Sequence, residues 1–196
     1  MANVGSQAMT VEEFFEWQLG REDRYELAAG TPVKMMSGVS NFHDTITVNV
    51  ISALGPQLRG TPCRVATADT SVRTNIRSTR RPDVIVTCDP PQLRSYEARS
   101  PRLVVEVLSP DNTGVRWQRK LEEFRRREGL SYILLIDSQQ MGATLLTRAG
   151  SSWESTDYDD LAAVIDLPGI GCQLAMADAY EGLTFDSSVE SGAQPR

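Results

Sequence analysis

Arg81-Pro82-Asp83-Val84-Ile85-Val86 and Leu103-Val104-Val105-Glu106-Val107-Leu108 are two short segments whose residues favour buried β-strands. Each segment contains one carboxylate, Asp83 at the start of the first and Glu106 in the middle of the second. An isolated ionised glutamate in a dry strand is strongly disfavoured, so Glu106 requires a cation, a hydrogen-bond network or a metal ion beside it. Two such carboxylates suit a hard cation such as Mg²⁺, which proteins bind through one or two carboxylates.

A helix is predicted from residue 113 to about residue 128, directly after the second strand. This segment lacks proline, and Trp117, Leu121 and Phe124 follow the i, i+4, i+7 spacing of one buried face. Lys120 lies at the edge of that face, and its long stem can direct the ammonium group back toward the two carboxylates. Other charged side chains are predicted on the outer side of the helix, among them Arg119, Glu122, Glu123 and Arg126.

The combination of Asp83, Glu106 in a Glu-Val-Leu-Ser-Pro context, and Lys120 displaced onto the next helix resembles the PD-(D/E)xK nuclease superfamily. Within that superfamily it is similar to the Uma-two family of restriction endonucleases. The resemblance extends over roughly residues 10 to 180. It implies a restriction-endonuclease-like α/β core, with a mixed sheet flanked by helices, and an endonuclease that hydrolyses DNA.

The same resemblance implies a set of site residues. Asp83, Glu106 and the carbonyl of Val107 would hold Mg²⁺, with Mn²⁺ as a substitute, and Lys120 would act on the attacking water or on the phosphorus. Two further candidates are Glu26, in an early Tyr-Glu-Leu hairpin, and His43, at the start of the next helix. The residues alone leave another reading for each: Glu26 as an exposed hairpin residue, and His43 as a hydrogen-bonded core histidine.

The chain departs from the family pattern at two places. Arg116 stands where an aspartate commonly precedes the helical lysine by four residues. Tyr132-Ile133-Leu134 replaces a Glu-Tyr-Trp segment. The acidic pair and Lys120 are retained, so the departures concern the surroundings of the expected site.

Length and composition indicate one domain. The 196 residues suffice for a sizeable core, and we expect a disordered segment at residues 1–9, a single domain at 10–183 and a flexible tail at 184–196. The absence of a long apolar run or a secretory leader predicts a protein that is neither transmembrane nor secreted. Cys63, Cys88 and Cys172 are far apart in the sequence, which predicts reduced thiols, a cytoplasmic location and no structural zinc site.

The charge pattern leaves the function open between classes. A net charge of −6 argues against general nucleic-acid binding, which a basic surface usually supports. The chain contains two arginine clusters, which are interpreted either as solvated side chains or as phosphate contacts. The first consists of Arg73, Arg77, Arg80 and Arg81, and the second of Arg116, Arg119, Arg125, Arg126 and Arg127. The alternatives to a nuclease are a catalytically silent nucleic-acid or protein binding module, and a Glu106 that merely pairs with Lys120 or an arginine. If the protein cleaves duplex DNA, we expect a homodimer, since two strands require two active sites.

The remaining elements follow from local patterns. Thr10 and Glu13 form a predicted capping box that opens a helix ending near residue 19. The other predicted elements are a hairpin of strands 25–27 and 33–36, a helix at 41–58, a strand region at 63–77 broken near 68–69, a polar loop at 78–81, a strand at 132–137 parallel to the Glu106 strand, strands at 143–148 and 153–158, and a short helix at 176–180.

Overall fold

The strands that carry Asp83 and Glu106 lie in a six-stranded mixed sheet in the computed structural model, which describes residues 8–35, 38, 40–110, 112 and 114–185. The elements, in chain order, are α1 (Val11–Gln18), β1 (Tyr25–Ala28), β2 (Thr31–Lys34), α2 (Asn41–Gln57), β3 (Arg64–Thr67), β4 (Val72–Asn75), β5 (Ser78–Arg80), β6 (Val84–Thr87), β7 (Pro101–Leu108), α3 (Gly114–Arg126), β8 (Tyr132–Asp137), β9 (Ala143–Ala149), β10 (Ser152–Tyr158), β11 (Val164–Leu167), β12 (Cys172–Ala175) and α4 (Met176–Ala179).

The large sheet has the strand order β10-β9-β8-β7-β6-β3. Strands β7 and β8 pair in parallel, as predicted, with Glu106 opposite Leu135. A parallel pair needs a crossover connection, and α3 provides it. The other pairs in this sheet are antiparallel. The predicted mixed sheet flanked by helices is therefore confirmed.

Helices α2 and α3 cover opposite faces of the large sheet. Alternate residues of a strand point to opposite faces, so Val105 packs in the core cluster that contains Val50 of α2. Its neighbour Val104 packs in the separate cluster that contains Phe124 of α3. By the same alternation Glu106 points to the α3 face, toward the helix that carries Lys120.

A second sheet, with the order β2-β1-β5-β4, lies beside the first and supplies Glu26 from β1. The prediction of a polar loop at residues 78–81 is wrong, because residues 78–80 form strand β5 between β1 and β4 and all three are buried. This strand lacks apolar side chains, yet the side chains of Ser78 and Arg80 find partners inside the protein, whereas Thr79 Oγ1 is buried without one among the described residues. Ser78 Oγ, for example, accepts a hydrogen bond from the Ala29 N–H at 3.0 Å.

The hairpin and the first helix agree with the local signals. The capping box is confirmed, since the Thr10 N–H donates to Glu13 Oε2 at 2.8 Å and the Glu13 N–H donates to Thr10 Oγ1 at 3.2 Å. Ala29 and Gly30 form the two-residue turn of the hairpin, both with positive φ. Strand β2 begins at Thr31, two residues earlier than predicted, and lies at the edge of its sheet, where Pro32 is tolerated.

The cysteine prediction is wrong for two of the three residues. Arg64 of β3 lies opposite Thr87 of β6, which brings the flanking residues Cys63 and Cys88 together, and they form a disulfide. Their separation of 25 residues hides this pairing in the sequence. Cys172 is free and buried.

The C-terminal part of the described chain closes the α2 side of the core. The β11–β12 hairpin leads into α4. Phe185 packs against Phe42 and Tyr180, with ring centroids 5.4 and 5.5 Å apart, so packing continues two residues past the predicted boundary at 183. Residues 1–7 and 186–196 of the two predicted terminal segments lie outside the described residues. No helix in the described ranges is long and apolar enough to cross a membrane.

The packing of α3 can be tested with two alanine substitutions on that helix. Phe124 is fully buried, so Phe124→Ala should lower the free energy of unfolding by about 3–5 kcal/mol. Val115 is 69% exposed, and Val115→Ala should change it by less than about 0.5 kcal/mol. Urea denaturation monitored by circular dichroism measures both. Equal effects would contradict the assignment of the inward face.

Candidate active site

Glu106 and Lys120 form the centre of a buried polar cluster. The Glu106 side chain is 4% exposed, and Lys120 Nζ lies 2.7 Å from its Oε1 and 2.9 Å from its Oε2. The ammonium group therefore points from α3 to the face of β7, as the spacing of the helix predicts. The carboxylate that is costly to bury has its cation on the neighbouring helix.

Glu26 joins the same cluster from the second sheet. Its Oε1 lies 3.1 Å from Lys120 Nζ and accepts a hydrogen bond from the Arg81 N–H at 2.9 Å. Its Oε2 lies 3.2 Å from Arg80 Nη1. The residue is buried, so the interpretation of Glu26 as an exposed hairpin residue is wrong. Lys120 is thus shared between two carboxylates.

Asp83 and His43 form the other side of the site. Asp83 Oδ2 accepts a hydrogen bond from the Val107 N–H at 2.8 Å, which ties the start of β6 to the residue after Glu106. Asp83 Oδ1 lies 3.2 Å from His43 Nε2. His43 lies in the first turn of α2, where its N–H donates to the capping Ser40 Oγ at 3.2 Å. The structure therefore places the five predicted side chains in two adjoining groups, Asp83 with His43 and Lys120 with its two glutamates, joined through the Val107 N–H.

The protonation equilibria in this cluster follow from its burial and charges. Burial raises the pKa of Glu106 from 4.5 to about 8, with Lys120 opposing and the charges of Asp83 and Glu26 adding to the increase. Burial would lower the pKa of Lys120, but Glu106 and Glu26 outweigh it and hold that pKa above its ordinary value. Burial would also raise the pKa of Glu26, yet Lys120 and Arg80 hold it below its usual range. Lys120 is therefore an ammonium group at neutral pH, and Glu106 is the least compensated carboxylate.

Sequence reasoning missed two members of the cluster, Arg80 and Glu123. The Arg80 guanidinium pairs with both Glu123 oxygens, at 2.8 and 2.9 Å, as well as with Glu26. Glu123 was predicted on the outer side of α3, and that prediction is wrong. The available signal was its position three residues after Lys120, which places the two side chains on neighbouring parts of one helix face.

The interpretations of the arginine cluster at residues 73–81 are corrected for two of its four arginines. Arg80 and Arg81 are 3% and 4% exposed, so they are neither solvated nor available to a phosphate. Arg81 donates to the carbonyls of Tyr25 and Asp69 at 3.1 and 2.6 Å. The polar loop expected at this place is a strand, and for that reason its arginines face inward.

The donor set fits a hard divalent cation. Carboxylate and carbonyl oxygens of Asp83, Glu106 and Val107 are the ligand type that Mg²⁺ prefers. Glu106 Oε1 is buried and accepts no hydrogen bond, although it lies 2.7 Å from Lys120 Nζ. Within the described residues, no group of three or more His, Cys, Asp or Glu side chains is arranged to hold a metal ion. A cation here would therefore rest on two carboxylates, with its other ligands from backbone, water or substrate.

The two departures from the family pattern lie outside this cluster. Arg116 is exposed on α3. Tyr132 belongs to the core cluster on the α2 side, where its hydroxyl accepts a hydrogen bond from the Gly169 N–H at 2.8 Å. The hydrogen bonds and ion pairs found for Glu106 and Lys120 among the described residues involve neither of them.

Comparisons with known proteins agree with this architecture. A protein of Synechocystis sp. (strain ATCC 27184 / PCC 6803 / Kazusa), described as "Uncharacterized protein slr1290", is 28% identical over 180 residues, covering 90% of this chain and 94% of that protein. A crystal structure of "a putative nuclease belonging to DUF820" from Anabaena variabilis ATCC 29413 matches with a TM-score of 0.69 and 17% identity, covering 87% of this chain and 97% of that one. At this identity the structural match supports the fold.

The family assignment rests on the sequence profile. The profile of the Uma2 family, described as "Putative restriction endonuclease", matches residues 11–177. That span contains every residue of the buried cluster, from Glu26 to Glu123. The chain belongs to the Uma2 family.

Proposed function

We propose that this protein is a magnesium-dependent endonuclease that hydrolyses phosphodiester bonds of DNA. The observation that carries the proposal is the position of Lys120, whose ammonium group lies 2.7 Å from Glu106 of β7. Asp83, at the start of the neighbouring strand β6, is hydrogen-bonded to the next residue of β7, Val107. Membership of the Uma2 family supports the nuclease class. The fold class of the Anabaena structure is consistent with it.

In this proposal Asp83, Glu106 and the carbonyl of Val107 would hold the metal. A bound Mg²⁺ ion lowers the pKa of an attacking water and stabilises the charge that develops on the phosphate. His43 orients Asp83 through the contact between Nε2 and Oδ1. The Val107 N–H holds the second oxygen of the same carboxylate. These two contacts fix the direction in which Asp83 presents its lone pairs.

Lys120 acts electrostatically in the proposed reaction. A general base must be deprotonated at the working pH, whereas Glu106 and Glu26 hold the pKa of Lys120 above its ordinary value. The structure thus favours an ammonium group that orients the water or stabilises the pentavalent phosphorus. In the absence of metal, this protonation state does not suit proton abstraction by the lysine.

The charge balance supports a divalent ligand. Two cations, Arg80 and Lys120, face the carboxylates of Glu26, Glu106 and Glu123 in the buried cluster, and Asp83 adds another negative charge beside Glu106. With Glu106 ionised, as metal binding requires, and His43 neutral, the cluster carries two more negative than positive charges. A divalent cation would neutralise that excess. A DNA phosphate is itself negative, so the excess negative charge would repel it. We therefore expect the substrate to enter the site only together with a metal ion.

One observation favours a second candidate, the catalytically silent binding module. Lys120 already compensates Glu106, and the side chains of Asp83, His43 and Lys120 are only 19, 11 and 14% exposed. Such a cluster could simply close the core between the two sheets. The experiments below separate the two candidates, because a structural cluster predicts no response to metal.

Cleavage of both DNA strands would use two copies of the chain. Each chain contains one set of site residues, and a symmetric dimer is the usual way to present two such sites. The proposal for duplex substrates therefore includes a homodimer.

Metal binding is tested by thermal melting with and without Mn²⁺. Mn²⁺ should stabilise the wild type by about 2.7 kcal/mol at 100 times its dissociation constant. Asp83→Asn should gain nothing, and in chelator it should melt at or above the wild-type temperature because it removes a charge that repels Glu106. Asp166→Asn, at an exposed position of β11, is the matched control and should keep the full shift. A wild type that ignores Mn²⁺ would favour the binding module.

Cleavage is tested with Lys120→Met, which keeps the apolar stem and removes the charge. We expect cleavage of plasmid DNA in Mg²⁺ to fall by at least about a hundredfold, since a preorganised charge of this kind contributes about 10²–10³ to the rate. The chain contains one other lysine, Lys34, which is exposed and pairs with Asp23. Lys34→Met should therefore cleave at the wild-type rate. Equal rates for the two variants would refute the role of Lys120.

The raised pKa of Glu106 gives a pH-dependent stability in chelator. A carboxyl group with a pKa of 4.5 in the unfolded chain and about 8 in the folded one favours folding most below pH 4.5, and this contribution is lost as the pH rises toward 8. The wild type should therefore lose stability relative to Glu106→Gln between pH 5 and pH 8, by an amount on the order of a few kcal/mol. Urea denaturation at several pH values measures the difference. Parallel profiles would mean that Glu106 is ionised throughout.

A further inference from the structure

Arg80 links strand β1 to helix α3 through ion pairs with Glu26 and Glu123. It is 3% exposed, so it cannot contact a substrate directly. Its Nε and Nη2 lie 2.8 and 2.9 Å from the two oxygens of Glu123, and its Nη1 lies 3.2 Å from Glu26 Oε2. The planar guanidinium group matches a carboxylate in this paired arrangement, which fixes orientation as well as distance.

The two oxygens of Glu26 are divided between two partners. Oε2 pairs with Arg80, whereas Oε1 pairs with Lys120 Nζ at 3.1 Å. The Arg81 N–H also donates to Oε1 and holds the carboxylate in this rotation. If Arg80 were removed, both oxygens would become available to Lys120, and its ammonium group would be drawn toward Glu26 and away from Glu106.

Helix α3 is held at two points by the second sheet. Lys120 binds Glu26 of β1, and Glu123, three residues further along the helix, binds Arg80 of β5. The Thr74 hydroxyl of β4 also donates to Glu123 Oε2 at 2.8 Å. These contacts fix both the position and the rotation of the helix that presents Lys120 to Glu106.

We propose that Arg80 and Glu123 are positioning residues that hold Glu26 and, through it, fix Lys120 against Glu106. The inference rests on the proposed nuclease function for its effect on rate, but the placement of Lys120 can be tested without activity. Arg80 and Glu123 do not touch the reacting atoms. Their removal should therefore change the turnover rate rather than the binding of DNA.

The kinetic test uses Arg80→Met and Glu123→Gln. We expect kcat for DNA cleavage to fall by at least about tenfold in each, since a small misplacement of a catalytic group is this costly, while KM stays within about twofold. Arg80→Met breaks a buried ion pair and is the variant at risk of not folding. Glu123→Gln keeps the shape at the half-buried end of the pair and is expected to fold. All rates are measured well below the melting temperature of each variant.

The chain supplies a matched control in a second arginine that bridges two glutamates. Arg73 pairs with both oxygens of Glu97, at 2.8 and 3.2 Å, and with Glu12 at 2.6 Å, but it has no link to Lys120. Glu97→Gln therefore removes the same kind of charge from the same kind of pair. Its kcat should stay within about twofold of the wild type.

The test without activity observes Lys120 directly. The chain contains only two lysines, so the ¹⁵N spectrum of side-chain ammonium groups contains at most two signals. Lys34 is 55% exposed and exchanges its protons rapidly with water, whereas Lys120 is 14% exposed and should give a protected signal that is lost in Lys120→Met. This signal should shift or broaden in Glu123→Gln and Arg80→Met and stay unchanged in Glu97→Gln.

The outcomes separate the two proposals. A wild type that cleaves no DNA but shows the expected spectral changes refutes the nuclease function and supports the positioning role. The positioning role is refuted if the wild type gives no protected Lys120 signal. It is also refuted if Glu123→Gln leaves both the Lys120 signal and kcat unchanged. The positioning role is likewise refuted if Glu123→Gln loses no more kcat than Glu97→Gln does.

Discussion

The burial of the Glu106 carboxylate on the face of a central strand is the constraint on which the site depends. The carboxylate lies between β7 and α3, where an uncompensated charge would be strongly unfavourable. Lys120 compensates that charge. Its own ammonium group is buried as well and is stabilised by a second carboxylate, that of Glu26, at 3.1 Å. Glu26 in turn is balanced by Arg80, and Arg80 by Glu123. The alternation of charge ends at the edge of the cluster, where Glu123 is half-buried.

This alternation also explains why two sheets and one helix form a single unit. Glu106 comes from the large sheet, Glu26 and Arg80 from the second sheet, and Lys120 from α3. Apolar packing on the α3 side already joins the second sheet to this unit, because Val72 of β4 packs in the same cluster as Phe124 of α3 and Val104 of the large sheet. The ion pairs are directional, so they add a constraint on orientation that non-directional hydrophobic contact does not supply.

The sequence predicts those parts of the site that leave a local signal. Asp83 and Glu106 stand out because each interrupts or precedes an apolar strand, and Lys120 stands out by its place on an amphipathic helix. Arg80 leaves no such signal, since β5 lacks an apolar alternation, and the spacing of Glu123 from Lys120 does not reveal its partner, because Arg80 lies 43 residues away in the chain. The disulfide of Cys63 and Cys88 was missed for the same reason, because it depends on the register of β3 with β6. The family resemblance supplied the fold class, which pattern alone would have left open.

The distribution of the two kinds of cation follows from their geometry. The chain has 18 arginines and two lysines, yet a lysine occupies the position shared by Glu106 and Glu26. A guanidinium group would align with one carboxylate through its rigid fork, as Arg80 does with Glu123, whereas an ammonium group is a compact charge whose three donors can turn between partners. A bound metal and a phosphate would change the charges around Glu106, and Lys120 can redirect its donors without moving the helix. The arginines thus make the fixed contacts of the cluster, and in the proposed reaction the lysine would make the contact that adapts.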